Sequence, residues 1–184
     1  MPTYVGLLRG VNVGKAKRVP MVELRDVLVG LGYTDVTTLL NSGNAVFKST
    51  ARSASGCAAA IARALAGRLG FDIPVVVKSA QELAAIVTGN PLRFTAANHS
   101  RLLAAFVQGA EQLARLRKID SLVVPPEQFA VGSHAAYLLC AAGLLESKAA
   151  AALLGKAGKA GEAVTTRNWA TLLKLHALAL PADA

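Results

Sequence analysis

The alternation of short apolar runs with helically spaced apolar residues most constrains the fold, because it follows one order twice along the chain. In the first 78 residues, strands are predicted at 3–11, 35–40, 45–49 and 73–78, and helices at 20–31 and 56–69. Asn41-Ser42-Gly43-Asn44 separates the second and third strands and has the composition of a hairpin turn. The resulting order, β-α-β-β-α-β, is that of the ferredoxin-like fold.

The second half of the chain repeats this order. Its predicted elements are a strand at 101–107, a helix at 111–119, a hairpin at 127–140, a helix at 147–156, a strand at 162–166 and a last helix at 168–180. The turn segments SGNAVF (42–47) and GSHAAY (132–137) share small residues followed by an aromatic ring, which supports a duplication. We therefore predict an α+β protein with two ferredoxin-like (βαββαβ) halves, 1–78 and 101–184, a helical connector at 79–100 and an extra C-terminal helix.

The charge balance favours a partner that carries negative charge. Twenty lysine and arginine residues against 11 aspartate and glutamate residues give a formal net charge of +9. Nucleic acid, a phosphorylated metabolite or an anionic lipid surface would attract such a chain, although a solvated basic surface explains the same excess. No apolar run reaches the ~18 residues that a membrane span needs, so no membrane-spanning segment is expected.

Residues that usually carry catalysis or bind metals do not fall into a recognisable pattern. Cys57 and Cys140 match neither zinc nor redox spacing, and His99, His134 and His176 lack ligand spacing. No acid–base pair can be read from the sequence. We therefore expect no metal, no cofactor and a reducing, cytoplasmic compartment, while the sequence does not decide whether the protein is an enzyme.

The segment LLRGVNVGKAKRVPM (7–21) is the best candidate for a binding site. It runs from a predicted strand through a glycine-containing loop and a group of cations to a proline suited to the first turn of a helix. Backbone N–H groups of such a loop, with the free donors of the helix start, can surround an oxyanion. The spacing matches neither a P-loop nor G-x-G-x-x-G, and the alternative is that the glycines only turn the strand into the helix. The residues assigned to the anion site in this segment are Arg9, Gly10, Asn12, Gly14, Lys15, Lys17 and Arg18.

Two further groups of residues complete the predicted anion site. Ser42 and Asn44 lie in the hairpin, which a βαββαβ unit places at the same end of the sheet as the loop after the first strand. Asn168 is predicted to cap the last helix, with Arg167 just outside it and Trp169 in its first turn, so that Arg167 and Trp169 can bind phosphate and stack a base or sugar. The alternatives are turn chemistry for the hairpin and packing over the core for Trp169.

Three motifs follow one another in the chain: LLRGVNVG (7–14), SGNAVF (42–47) and TTRNWATLLKL (165–175). Together they resemble the bacterial domain-of-unknown-function 1697 family, and the resemblance extends over essentially the whole chain. It implies a two-part α+β fold with ferredoxin-like halves. It implies no activity.

Three functions remain open on these observations. The first is binding of a phosphate-bearing ligand, either a nucleotide or the backbone of a nucleic acid, through the basic glycine-rich loop. The second is an enzyme acting on a small phosphorylated or carboxylated substrate in a cleft between the halves. The third is a protein-interaction module that uses exposed strand edges, and the protein is expected to be a monomer or a homodimer. RNA binding of the RRM type is not expected, because Phe47 is the single ring in the strand NAVFK (44–48).

Overall fold

The computed structural model describes residues 1–14, 17–155 and 164–180. The chain divides into two compact units: unit 1 is Met1–Leu83 with the segment that begins at Leu175, and unit 2 is Ala84–Lys174. The two divisions fall inside helices, so the element order runs continuously through them. The division predicted from the sequence, into 1–78, 79–100 and 101–184, remains a prediction.

Unit 1 is built on a four-stranded antiparallel sheet with the strand order β2-β3-β1-β4. This order is the one that a βαββαβ chain produces, which confirms the predicted ferredoxin-like half. Its strands and helices are β1 (Thr3–Leu8), α1 (Met21–Gly30), β2 (Thr34–Leu39), β3 (Asn44–Lys48), α2 (Ala54–Leu69), β4 (Val75–Ser79) and the first residues of α3 (Ala80–Thr88).

Aliphatic side chains of α1 and α2 pack on one face of this sheet around a small group of aromatic rings. Tyr33 and Phe47 stack with their ring centroids 4.6 Å apart, and Tyr4 stacks on Phe47 at 6.0 Å. Cys57, a free thiol, is completely buried in the same cluster. Burial raises the pKa of the Tyr33 hydroxyl above its ordinary value, so this ring stays neutral in the core.

Unit 2 repeats the arrangement with the strand order β6-β7-β5-β8, again antiparallel throughout. The polypeptide therefore contains two sheets of the same topology, as the repeated element order predicts. Its strands and helices are β5 (Leu102–Phe106), α4 (Ala110–Arg115), β6 (Gln128–Val131), β7 (Ala136–Leu139), α5 (Lys148–Leu154), β8 (Thr165–Asn168) and the first part of α6 (Trp169–Ala179).

Short 3₁₀ segments replace part of the predicted helical structure in unit 2. Helix α4 passes at Leu116 into a 3₁₀ segment, Leu116–Leu122, where a single helix over 111–119 was predicted. Leu113, Leu116 and Ile119 still contact the core of the unit, so the predicted apolar face is preserved although the winding changes. Ala96–Asn98, in the segment between α3 and β5, forms another 3₁₀ turn.

The two units differ in the connection between their first strand and first helix. In unit 1, residues 9–20 join β1 to α1, whereas in unit 2 only residues 107–109 join β5 to α4. Because the three-residue connection closes the same topology, the fold itself does not require the longer loop. Residues 9–20, hereafter the β1–α1 loop, are therefore an elaboration specific to unit 1.

Candidate functional site

The side chain of Asn12 holds the β1–α1 loop closed. Its Nδ2 donates to the carbonyl oxygens of Val19, at 2.8 Å, and Asn41, at 2.6 Å, while its Oδ1 accepts from the Val19 N–H at 2.9 Å. The backbone N–H of Asn12 also donates to the Lys17 carbonyl at 3.1 Å. Asn12 has a φ of +56°, a left-handed conformation that asparagine tolerates better than most residues. Asn12 thus shapes the loop and joins it to the β2–β3 hairpin.

The predicted glycines adopt the backbone conformation expected of them. Gly10 and Gly14 both have a φ of +64°, and among the described residues, chain neighbours aside, no atom lies within 4 Å of the position that a Cβ would occupy on either. Lys17 Nζ donates a hydrogen bond to the backbone carbonyl of Asp72 at 2.9 Å. Because this acceptor is not a carboxylate, the bond holds the charge of Lys17 in place without neutralising it. Lys15 lies outside the described residues.

A surface depression of about 300 Å³ lies where the β1–α1 loop enters helix α1. The first N–H groups of an α-helix have no intrahelical acceptor, and the N-cap residue Pro20 makes no side-chain capping bond to those of α1. Arg18 is exposed and lines the same depression. The lining residues are Asn12, Arg18, Val19, Pro20, Met21 and Asn41.

The acidic residue in the first turn of α1 is held by a salt bridge. Glu23 Oε2 accepts a hydrogen bond from Arg68 Nε, and this bond lowers the pKa of the Glu23 carboxyl below its usual value. A carboxylate near a helix N-terminus occupies the electrostatic position that a bound anion would use. Because Glu23 is paired with Arg68, its charge is largely compensated within unit 1.

The β2–β3 hairpin contributes backbone rather than side chains to this region. Asn44 is fully buried, and its Nδ2 donates to the Leu39 carbonyl and to Ser42 Oγ, both at 2.9 Å. The Leu8 N–H donates to the Gly43 carbonyl at 2.8 Å, so the hairpin does lie at the end of β1, as predicted. Of the two predicted hairpin residues, Ser42 is at the surface and Asn44 is inside the turn.

Unit 2 provides an internal comparison for the helix start. There the side chain of Gln112 reaches back, and its Oε1 accepts the Gly109 N–H at 2.9 Å. This bond satisfies the N–H of the N-cap residue and not the N–H groups of the first turn, so α4, like α1, begins without a side-chain cap. Helix α1 differs in that it follows a proline and a longer loop. The two helix starts therefore differ in the loop that precedes them and not in their capping.

Arg167, Asn168 and Trp169 belong to unit 2 and do not form an open site there. Arg167 lies in β8, paired with Ala104, and only 8% of it is exposed. Its Nη1 donates to Thr165 Oγ1 at 2.8 Å and to the Thr166 carbonyl at 2.7 Å. Burial lowers the pKa of its guanidinium to about 10, so it remains charged at neutral pH.

The other two residues of this group have structural contacts. Asn168 Oδ1 accepts the Thr171 N–H at 2.9 Å, which confirms the predicted cap of the last helix. Trp169 is 3% exposed and packs edge-on against Phe94 and Tyr137, with ring centroids 5.3 and 6.3 Å away. The indole is therefore part of the core of unit 2 rather than an exposed stacking surface.

The sequence does not assign Asn41 to the site. In the structure its carbonyl oxygen accepts the Asn12 hydrogen bond that closes the loop, and the residue lines the depression. Asn41 immediately precedes the Ser42–Asn44 turn in the sequence, but its role depends on the hydrogen bond from Asn12, a residue distant in the chain.

Across 1–14, 17–155 and 164–180, no group of three histidine, cysteine or acidic residues is placed to hold a metal ion. Within the same residues, no helix is both long and apolar enough to cross a bilayer.

Comparison with known proteins places the chain in a family without assigning it an activity. No curated protein matches the sequence. A solved structure described as "The structure of conserved bacterial protein SP0830 from Streptococcus pneumoniae" matches with a TM-score of 0.78 and 24% sequence identity, covering 97% of this chain and 99% of that one. At this identity the similarity shows the fold. Residues 1–137 match the family described as "Protein of unknown function (DUF1697)", and because this match covers most of the sequence, the chain belongs to that family.

Proposed function

We propose that the protein binds a phosphate-bearing ligand at the depression where the β1–α1 loop meets helix α1. The observation that carries the proposal is the start of α1, whose N-cap residue Pro20 makes no side-chain capping bond, beside the exposed residue Arg18. Backbone N–H groups at a helix N-terminus and an arginine fork are complementary to phosphate oxygens. The length of the loop relative to its counterpart in unit 2 supports the same reading, as does the net charge of +9.

The proposed site is narrower than the one expected from the sequence. It retains Arg18 as the ligand-contacting cation, with Lys17 as a neighbouring charge and Asn12 as the residue that positions the loop. Arg167 and Trp169 are left out because they are buried in unit 2. We also propose a cytoplasmic location, because both cysteines are free thiols, as expected in a reducing compartment.

The test compares Arg18→Glu with Arg52→Glu, which makes the same charge change. Arg52 is exposed, follows the C-terminal end of β3 and is not among the residues that line the depression. Inorganic phosphate, ADP and a short single-stranded oligonucleotide are titrated into each protein by calorimetry. Binding that disappears in Arg18→Glu and persists in Arg52→Glu supports the site. Failure of all three probes to bind the unmodified chain, or equal binding by both variants, refutes it.

Salt dependence separates the two ligand classes. A nucleic acid backbone should lose affinity with a log–log slope of about −0.7 for each phosphate neutralised on a single strand. A nucleotide held mainly by one arginine and backbone N–H groups should depend only weakly on salt. A ligand present at about 100 times its dissociation constant should also stabilise the protein by roughly 2.7 kcal/mol.

A further inference from the structure

Strand β6 leaves a row of backbone groups facing away from its sheet. It is the first strand in the order β6-β7-β5-β8 and pairs with β7 in an uninterrupted register from Gln128 to Val131. The Gly132 N–H donates to the Ala135 carbonyl at 2.9 Å, which fixes the phase of the ladder. Because bonded positions alternate in an antiparallel pair, the N–H and C=O groups of Phe129 and Val131 point away from β7.

The equivalent edge strand of unit 1, β2, has features that prevent it from pairing with a strand of another molecule. In β2 the register shifts between Thr34 and Thr37, and Asp35 adopts a φ of +51°. Asp35 also carries a charge at this edge, paired with Lys48 Nζ at 2.7 Å. Irregular register and charged residues are the usual devices that prevent edge-to-edge association. Strand β6, with the sequence QFAV, has neither of them.

A groove of about 290 Å³ runs beside β6 and is lined by residues of the strand and of the preceding 3₁₀ segment. Arg117 and Asp120 line it together, and neither side chain has an ion-pair partner in the part of the chain that the structure describes. Leu122 and Val124, 36% and 61% exposed, lie in the chain between them and β6. The edge therefore combines outward-pointing backbone groups, exposed apolar side chains and one charge of each sign.

We propose that β6 is the contact through which two copies of this chain form a twofold dimer. Antiparallel pairing about an axis at Ala130 places Phe129 opposite Val131 of the partner subunit, and Val131 opposite the partner's Phe129. In this register the outward backbone groups of both residues are satisfied in each copy. In this dimer Arg117 meets the partner's Asp120, and because a twofold interface repeats each contact, Asp120 also meets the partner's Arg117.

The paired charges are the reason for choosing a second copy as the occupant. An acidic peptide would satisfy Arg117 and oppose Asp120, and a basic peptide would do the reverse. A symmetric partner satisfies both groups at once and adds its own Leu122 and Val124 to the buried surface. The dimer does not depend on phosphate binding, because every residue that forms it lies in unit 2.

Sedimentation equilibrium over a range of protein concentrations tests the dimer directly. The unmodified chain should reach twice the 19.0 kDa mass of one chain. Arg117→Asp and Asp120→Arg should each sediment as monomers, and an equimolar mixture of the two variants should recover the dimer mass, because each supplies the charge that the other needs. Lys118→Asp is the matched control: it changes the same charge at the next residue, which does not line the groove, and it should remain dimeric.

A second variant tests strand pairing separately from charge. Val131→Pro removes an N–H that points away from β7, so it should abolish the dimer without removing a hydrogen bond from the sheet of unit 2. Circular dichroism checks that the Val131→Pro variant is folded. If that variant does not fold, the mixture of the two charge variants still decides whether the dimer forms. A monomeric unmodified chain at every concentration, or a mixture of Arg117→Asp and Asp120→Arg that stays monomeric, overturns the proposal.

Discussion

Replacing Asn12 by glycine should destabilise unit 1 although glycine accepts the local backbone conformation. The change keeps the φ of +56° without strain and removes all three side-chain hydrogen bonds, to Val19 twice and to Asn41. The two bonds to Val19 are partly buried and contribute about 1 kcal/mol each, while the exposed bond to Asn41 contributes about 0.5 kcal/mol. Glycine also gives the unfolded chain more freedom, at a cost of roughly 0.5 kcal/mol. The expected loss in the free energy of unfolding is therefore about 3 kcal/mol.

Urea denaturation followed by circular dichroism measures this loss, with Asn12→Ala and Val13→Ala as companions. Alanine removes the same bonds and also strains the left-handed backbone, so it should cost about 1 kcal/mol more than glycine. Val13, the exposed neighbour, should change stability by no more than about 0.5 kcal/mol when it is shortened to alanine. An Asn12→Gly protein with the denaturation midpoint of the unmodified chain would show that the amide does not hold the loop. Phosphate binding should weaken in the same variant, because the loop that carries Arg18 loses its closure.

Two further predictions concern unit 1. Gly43→Ala should lower the free energy of unfolding by about 3 kcal/mol in thermal or urea melts, because a Cβ on this residue, at a φ of +78°, would lie 2.6 Å from Leu8 Cβ. Gly10→Ala, at a φ of +64° and with no atom of a described, non-adjacent residue within 4 Å of the new Cβ, should lose only about 1 kcal/mol, and equal losses would contradict the packing argument. Glu23 has a folded-state pKa below its ordinary 4.5, mainly because of its hydrogen bond to Arg68, so its contribution is present above that pH and lost as the pH falls through the folded value. Glu23→Gln should therefore lose less stability on acidification than the unmodified chain, and identical acid profiles would be evidence against the pair.

The repeated order of elements could be predicted from the sequence because it is a property of local periodicity. The turn at 41–44, the end of α1 near Gly30 and the hairpin near Gly132 all depend on residues that are adjacent in the chain. Once the order βαββαβ is known, the strand order β2-β3-β1-β4 follows from the few connections that such a chain permits. Family membership was accessible for the same reason, since the motifs are contiguous.

What could not be predicted depends on contacts between residues distant in sequence. The bond from Asn12 to Asn41 joins positions 29 residues apart and turns a presumed ligand group into a loop closure. Arg167 lies outside the last helix, as predicted, but the last strand does not end at residue 166. Pairing with β5 extends β8 to Asn168, which both ends the strand and caps α6. A guanidinium that looked free beside a helix is consequently buried in unit 2.

Each unit contains one buried cysteine, whose reactivity can report on the stability of that unit. The chain has two cysteines, and Cys57 is completely buried in unit 1 while Cys140 is completely buried in unit 2. A thiol reagent can reach either sulfur only when the surrounding structure opens, so the rate of modification at each site measures the opening free energy of that unit in native buffer. Mass spectrometry of the labelled peptides would thus rank the two units by their stability, with no residue changed.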